Sequence, residues 1–155
     1  MSPSAPGSPP GIHLLLCAFV GVALGLGAYT FNYAEGTAYL SDEPRACVNC
    51  HVMREVYEGW LRSSHHAVAT CNDCHVPHRW AGKWFSKVRN GFNHSWAFTS
   101  GDFPDPIRIT RRNARVLDEN CVACHTELVA PVAPSGLSGQ EQRCVVCHRA
   151  VGHGT

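Results

Sequence analysis

The hydrophobic pattern of the chain is dominated by one run of about 20 apolar residues near the N-terminus. From Ile12 to Phe31 it reads IHLLLCAFVGVALGLGAYTF, and His13 is its only ionisable side chain. A helix of about 20 residues is about 30 Å long, which matches the hydrocarbon core of a bilayer. The pattern predicts a transmembrane anchor helix over residues 12–33, preceded by a disordered tail over residues 1–11.

A cleaved signal peptide is the alternative to an anchor. Such a peptide needs a basic start, a shorter apolar stretch and a cleavage site of small residues. No Lys or Arg precedes Arg45, and Leu26 stands where cleavage requires a small residue, so we expect the helix to be retained. Gly21 and Gly25 form a G-x-x-x-G, which permits close pairing of two helices. The motif has two interpretations. It can mediate a homo-oligomer through this helix, or it can reflect only that glycine is frequent in membrane helices in general.

The pattern changes beyond residue 40. Few Leu or Ile follow that position, so residues 34–155 lack the apolar side chains of an ordinary core. The sequence predicts a mainly α chain with little regular structure, in which another group fills the core. The 13 basic and 12 acidic residues give a net charge of +1, which argues against nucleic acid as the partner.

Cysteine and histidine supply the candidate chemistry. The 155 residues include nine Cys and ten His, and every Cys except Cys17 belongs to one of four copies of C-x-x-C-H. This motif is the attachment site of a c-type haem, in which two thiols bond to the porphyrin and the adjacent His binds the iron. The copies are Cys47/Cys50 with His51, Cys71/Cys74 with His75, Cys121/Cys124 with His125, and Cys144/Cys147 with His148.

Two other structures use paired cysteines. Zinc ribbons contain C-x-x-C units, and eight cysteines in an exported domain could form four disulfides. Neither structure requires a His after every second Cys, whereas covalent haem attachment does. The sequence therefore predicts four covalently bound haem c groups.

The spacing of the motifs indicates how the haems are arranged. Their first cysteines are separated by 24, 50 and 23 residues, which is typical of a duplicated two-haem unit. Four haems on so short a domain must themselves form its core. Covalent haem is attached on the outer, oxidising side of a bacterial cytoplasmic membrane. This orients the anchor, with the N-terminus in the cytoplasm and residues 34–155 in the periplasm.

Each haem iron has two axial positions. The four motif histidines can occupy one position on each haem, and His13 lies at the start of the membrane helix, on the wrong side of the membrane. Met53, two residues after His51, is a further candidate ligand, because a thioether binds haem iron and raises its potential. The candidates for the distal positions are His65, His66, His78, His94 and His153.

Three of these segments together resemble a known family. They are C-x-x-C-H-x-M at Cys47–Met53, Ser-x-His at Ser63–His65 and C-x-D-C-H-V-P-H at Cys71–His78. The combination resembles the NapC/NirT/NrfH family of membrane-anchored tetrahaem quinol dehydrogenases, and the chain length is more similar to the NrfH branch. The resemblance covers about residues 10–153.

The resemblance implies a function and a ligand set. Such a protein oxidises menaquinol or ubiquinol and passes the electrons to a periplasmic reductase, with a nitrite reductase as the favoured partner. It implies that Met53 replaces His51 on the first haem. It also implies three bis-histidine pairs, which are His75 with His153, His125 with His78, and His148 with His65.

The aromatic and basic insert at residues 80–98 is the candidate quinol site. In a helix, Lys83, Lys87, Asn90 and His94 fall on one face, and Lys87 and His94 lie about 10 Å apart along the axis. The resemblance implies that Lys87 binds the quinol and that His94 lies near the first haem, where relatives have an acid or a His. Gly91 is expected to break this helix before His94. The alternative is a basic belt that only contacts lipid headgroups.

Three functions therefore compete. The first is a quinol dehydrogenase with Lys87, Lys83 and His94 at its quinol site. The second is a haem enzyme that reduces a small nitrogen or sulfur oxide itself, although the five spare histidines leave little room for a substrate. The third is a passive anchor that relays electrons and has no quinol site.

Overall fold

The structure is a computed structural model that describes residues 10–131 and 144–154. The chain divides into two compact units, residues 1–37 and 38–155. In the first unit, helix α1 spans Pro10–Tyr33 and carries no charged residue in its first or last turn. Its residues 11–33 are exposed, and by length and composition it could cross a membrane. The disordered tail expected at residues 1–11 lies, up to residue 9, outside the described residues.

The second unit is built from short helical segments, and its described residues contain no strand. This confirms the prediction of a mainly α chain with little regular structure. Three 3₁₀ segments, Gly36–Leu40, Pro44–Asn49 and His51–Met53, lead into the helices. The helices are α2 (Arg54–Leu61), α3 (Cys71–His75), α4 (Trp80–Ser100), α5 (Arg111–Cys124), α6 (Thr126–Val129) and α7 (Cys144–Cys147).

Side chains form almost no core in this unit. Among the described residues, only Val76, Ala114 and Val116 are buried apolar side chains. A domain of this size ordinarily buries a contiguous apolar cluster. The scarcity agrees with the expectation that haems take the place of a side-chain core.

Helices α3 and α5 form the main helix–helix contact of the described chain. Thr70 caps α3, and its backbone N–H and its hydroxyl each donate a hydrogen bond of 2.8 Å to Asp73 Oδ2. The buried Asn120 of α5 donates to the carbonyl oxygens of Cys74, at 3.1 Å, and Val76, at 2.9 Å. These bonds satisfy backbone oxygens at the end of α3 and fix the second haem motif against α5.

Helix α4 continues for 21 residues and ends at Gly101, which adopts φ 71°. The expected break at Gly91 is therefore wrong. An added Cβ at Gly91 would lie 3.3 Å from Tyr39 Cγ, so the glycine makes room for the Tyr39 ring. A glycine inside a helix costs about 1 kcal/mol relative to alanine, and neighbouring contacts readily offset that amount.

Candidate haem sites and quinol site

Each C-x-x-C-H motif lies on a short helical turn. The second motif coincides with α3, the third closes α5, and the fourth forms α7 followed by His148. The first lies on the 3₁₀ segments Pro44–Asn49 and His51–Met53. Residues three apart in a helical turn share one face, so each turn directs its two sulfurs to the same side. None of the eight motif cysteines forms a disulfide, so all of them are available for covalent haem attachment.

The motifs are neighbours in the order of the sequence. The Cys71 thiol donates a hydrogen bond that lowers the pKa of Cys47 to about 7, and the pKa of Cys71 is raised in return. Burial, followed by the nearby Cys144, raises the pKa of Cys121 to about 11. In each predicted pair of motifs, the first cysteine of one motif therefore lies beside the first cysteine of the other. This agrees with a duplicated two-haem unit.

A further contact connects the two pairs of motifs. Burial raises the pKa of Cys74, and the neighbouring Asp73 and Cys124 raise it further. Cys74 also contributes to the raised pKa of Cys121. The second and third motifs are therefore close enough to interact, and the four attachment sites form one continuous series.

His75 and His153 meet the geometric requirement for a shared iron. Their rings are nearly parallel, at 16°, with centroids 6.2 Å apart. Two imidazoles that bind one metal ion from opposite sides, with metal–nitrogen bonds of about 2 Å, have centroids about 6 Å apart. An added Cβ at Gly59 would lie 3.2 Å from His153 Cβ, so this glycine of α2 allows His153 to approach. The residues present therefore fit a haem between these two rings.

His65 is oriented by a backbone carbonyl. Its Nδ1 donates to Val151 O at 3.0 Å, an arrangement that leaves Nε2 free to bind a metal. The His65 ring lies 6.0 Å from that of His125. The Nε2 of His78 donates to Asp73 O at 3.0 Å. The structure thus brings His65 to His125, whereas the resemblance implied pairs of His148 with His65 and of His125 with His78.

The remaining candidate ligands lie in different surroundings. His66 packs edge-on against the Trp60 ring, with centroids 4.7 Å apart, as a structural residue does. His51 and Met53 both belong to the 3₁₀ segment of the first motif, where Met53 is the half-buried residue of the two. His148 follows α7 and donates its backbone N–H to Cys144 O.

A polar cluster (Tyr39, Asp42, Lys83, Lys87 and His94) lies beside the first motif. Lys87 is only 4% exposed, and its amine donates to Leu40 O at 3.2 Å, Ser41 O at 2.6 Å and Asp42 Oδ1 at 2.8 Å. Lys83 donates to the other Asp42 oxygen at 2.5 Å. Hydrogen bonds from Lys83 and then Lys87 lower the pKa of Asp42 to about 2. Lys87 also contributes to the lowered pKa of Cys47, so the cluster adjoins the first haem site.

The other end of the polar cluster joins Tyr39 to His94 through a hydrogen bond between the Tyr39 hydroxyl and His94 Nδ1. Burial raises the pKa of Tyr39, and the nearby Cys50 and Cys47 raise it further. Partial burial lowers the pKa of His94, which favours the neutral ring. Tyr39 therefore lies between His94 and the thiols of the first motif.

The predicted face of α4 is only partly reproduced. Lys83, Lys87 and His94 all contact residues 39–42, as one helical face would. Asn90 instead accepts a hydrogen bond from Asn113 of α5 at 3.3 Å. On another side of α4, an exposed stripe contains Phe85, Val88, Phe92 and Trp96.

Sequence reasoning missed Tyr39 and Asp42. They bond to residues 41 to 55 positions further along the chain, and no local spacing relates the two segments. The one local signal is Gly91 within an otherwise regular helix. A helical glycine indicates close approach of another group, and here that group is the Tyr39 ring.

The helices, the four attachment turns and the His75–His153 pair define a multihaem c-type cytochrome. The model of the NapC/NirT cytochrome c family, N-terminal region, matches residues 10–155. The chain belongs to this family, and covalently bound haem c follows from that membership.

Individual relatives narrow the comparison. The chain is 40% identical to cytochrome c-type protein NrfH of Wolinella succinogenes, over 86% of this chain and 81% of that protein. It is 34% identical to cytochrome c nitrite reductase subunit NrfH of Nitratidesulfovibrio vulgaris, with coverages of 86% and 80%. Cytochrome c-type protein NapC of Escherichia coli is 27% identical over 90% of this chain and 80% of its own length. The NrfH branch is thus the more similar, as the sequence predicted.

A solved structure shares the fold. It is the crystal structure of the cytochrome c nitrite reductase NrfHA complex bound to the HQNO inhibitor. The TM-score is 0.62 at 31% identity, and the match covers 89% of this chain and 88% of that chain.

Proposed function

We propose that this protein is a membrane-anchored tetrahaem cytochrome c that oxidises quinol and passes the electrons to a periplasmic nitrite reductase. Residues 12–33 anchor it in the bacterial cytoplasmic membrane, with residues 1–11 on the cytoplasmic side. Residues 34–155 form the periplasmic haem domain. The relatives named NrfH and the NrfHA complex support the choice of partner.

The observation that carries this proposal is the position of the polar cluster beside the first motif. Quinol oxidation releases two protons with two electrons, so it requires polar groups next to an electron acceptor and a route to water. Lys87 lies close enough to Cys47 to lower its pKa, and the Asp42 side chain is 56% exposed. Groups that handle protons and groups that hold a haem are thus adjacent.

The series of motifs supplies the route for the electrons. Contacts relate the first motif to the second, the second to the third and the third to the fourth. The residues that would hold the four haems are therefore neighbours in sequence order. A haem supplies one-electron chemistry when bound, and the chain's contribution is to hold successive haems close together.

The residues of the cluster have separate roles in this proposal. Lys83 and His94 offer polar groups to a quinol oxygen, and Asp42 offers an exposed carboxylate. Lys87 can contact the quinol only if it releases one of its three acceptors, because an ammonium group has three donors. The exposed stripe of α4 offers apolar surface where a hydrophobic quinol tail can lie.

The proposed iron ligands follow the motifs and the ring geometry. The first haem takes Met53 or His51, and the second takes His75 and His153. His125 and His148 bind the third and fourth irons. His65 and His78 are the proposed distal ligands of those two haems, and the 6.0 Å separation from His125 makes His65 the first candidate for the third. His78 would bind an iron through Nδ1, or through Nε2 after releasing the Asp73 carbonyl.

A passive relay is the second candidate, and the three occupied donors of Lys87 are the observation that favours it. Reduction of the purified, oxidised protein by a menaquinol analogue separates the two functions. A quinol dehydrogenase should be reduced by the analogue alone, whereas a passive relay should be reduced only by dithionite. Reduction by dithionite without reduction by the analogue would contradict the proposal.

A further inference from the structure

The hydrogen bond between Tyr39 and His94 is held in place by the backbone of α4. The Tyr39 ring packs against Gly91, where an added Cβ would approach to 3.3 Å of Cγ and 3.4 Å of Cδ1. Gly91 lies three residues before His94 in α4. The glycine that the Tyr39 ring contacts is therefore about one helical turn away from His94. Their centroids are 5.8 Å apart, at 58°. The Tyr39 ring therefore packs on α4 beside His94, with its hydroxyl next to His94 Nδ1.

The direction of this hydrogen bond follows from acid–base chemistry. A phenol is the stronger acid of the two groups, and a neutral imidazole nitrogen with a lone pair is the stronger acceptor. Burial raises the pKa of Tyr39 above that of free tyrosine, which keeps the phenol protonated. The Tyr39 O–H thus donates to His94 Nδ1.

This direction fixes the tautomer of His94. A neutral imidazole that accepts at one nitrogen carries its hydrogen on the other. His94 then holds its hydrogen on Nε2, where no lone pair is left for iron. The same Nε2–H can donate a hydrogen bond to an oxygen.

We propose that Tyr39 is a positioning residue, which keeps His94 as a hydrogen-bond donor and prevents it from binding the iron of the first haem. The inference deepens the proposed function and rests on its placement of a haem at Cys47 and Cys50. In this proposal, the Nε2–H of His94 donates its hydrogen bond to a quinone oxygen. The first iron then keeps an axial position that no histidine occupies.

The test measures the spin state of the ferric haems in the purified, haem-loaded full chain in detergent, by electron paramagnetic resonance and visible absorption. A ferric haem with an open axial position is high-spin, and a bis-ligated one is low-spin. We expect one high-spin haem among four in the unmodified protein. His94→Ala should retain it, because His94 is not its ligand.

Tyr39→Phe is the decisive variant, since it keeps the ring against Gly91 and removes only the hydroxyl. Both tautomers of His94 then become accessible, so Nε2 can bind the iron of the first haem. The fraction of molecules in which that haem is high-spin should fall to about half or less. The double variant Tyr39→Phe with His94→Ala should restore the signal. Tyr57→Phe is the matched control, because Tyr57 packs on Trp60 and its hydroxyl has no hydrogen bond within the described chain.

Two results would overturn the inference. One is a first haem that is low-spin in the unmodified protein and becomes high-spin in His94→Ala, which would make His94 its ligand. The other is a high-spin share in Tyr39→Phe equal to that in Tyr57→Phe. Neither measurement uses quinol, so a failure of quinol oxidation and a failure of the proposed role of Tyr39 are distinguishable.

Discussion

Lys87 is the residue of the polar cluster whose replacement should cost the most stability. Its side chain is 3% exposed, and its amine satisfies two backbone carbonyls and one carboxylate oxygen. Each hydrogen bond to a charged group contributes about 1.5–3 kcal/mol, and such contributions are not additive. We expect Lys87→Met to lower the stability of the haem domain by about 3 kcal/mol, because carbonyls at residues 40 and 41 lose their donor.

The assay is the thermal midpoint of the haem-loaded protein, followed by circular dichroism. For a domain of about 120 residues, with an unfolding entropy of about 2.1 cal/mol/K per residue, about 3 kcal/mol corresponds to a decrease of about 12 °C. Lys83→Met is the matched control. Lys83 makes one bond, to a carboxylate that is 56% exposed, and a screened surface pair contributes about 0–1 kcal/mol. Equal midpoints for the two variants would refute the assignment of three acceptors to a buried Lys87.

The same two variants report on the quinol site. Loss of one charge-assisted hydrogen bond to the quinol should slow quinol-driven reduction about 10- to 150-fold, with all four haems and dithionite reduction retained. Asp42→Asn leaves Lys87 its carbonyl partners at Leu40 and Ser41, so it measures how much the carboxylate alone contributes to each effect. If Lys87→Met and Lys83→Met both oxidise menaquinol at the unmodified rate, neither lysine of α4 belongs to the quinol site and both contribute only to an interfacial belt.

The remaining predictions concern the haems, the acid and the anchor. The denatured chain should exceed its apoprotein mass by four haems in mass spectrometry, and a smaller excess would contradict the argument for a haem core. Hydrogen bonds from Lys83 and Lys87 hold the pKa of Asp42 at about 2, below its usual 3.8, so its stabilising effect is present above about pH 4 and is lost as the pH falls toward 2. Asp42→Asn should remove that component from denaturation midpoints measured against pH, and an unchanged acid profile would count against the ion pairs. N-terminal sequencing of the detergent-extracted protein should find residues 12–31 intact, and a mature start after Ala28 would show that α1 is a signal peptide.

The features that could be predicted from the sequence are those that depend only on neighbouring residues. A C-x-x-C-H motif contains both attachment cysteines and an iron ligand within five consecutive residues. A run of about 20 apolar residues is by itself long enough to span a bilayer. Both were recognisable without any tertiary contact. The break at Gly91 was predicted on the same local basis and was wrong, because the Tyr39 ring from 52 positions earlier packs on that glycine.

Contacts between distant segments were beyond prediction for a physical reason. Asp42 and Lys87 lie 45 positions apart in the sequence, and only the tertiary fold places residues 38–42 beside α4. The ring pair His65–His125 likewise depends on the Val151 carbonyl, which orients His65 from the far end of the chain. A resemblance can propose such pairs, but the side-chain and backbone partners that orient each ring come from the structure.

The short stretch from Tyr39 to Cys50 connects two kinds of chemistry in this domain. It bonds to α4 through Tyr39 and Asp42, and it carries the first haem motif only a few residues later. Substitutions within this stretch should therefore change quinol oxidation and the first haem together. The His75–His153 pair is held by α2 and α3, and α3 also bonds to the polar cluster, because Asn72 donates to Asp42 Oδ1 at 2.8 Å. Sites that share such contacts are coupled, and the first and second motifs also meet through Cys47 and Cys71, so the losses of stability caused by substitutions at His153 and at Tyr39 should not simply add in a double variant.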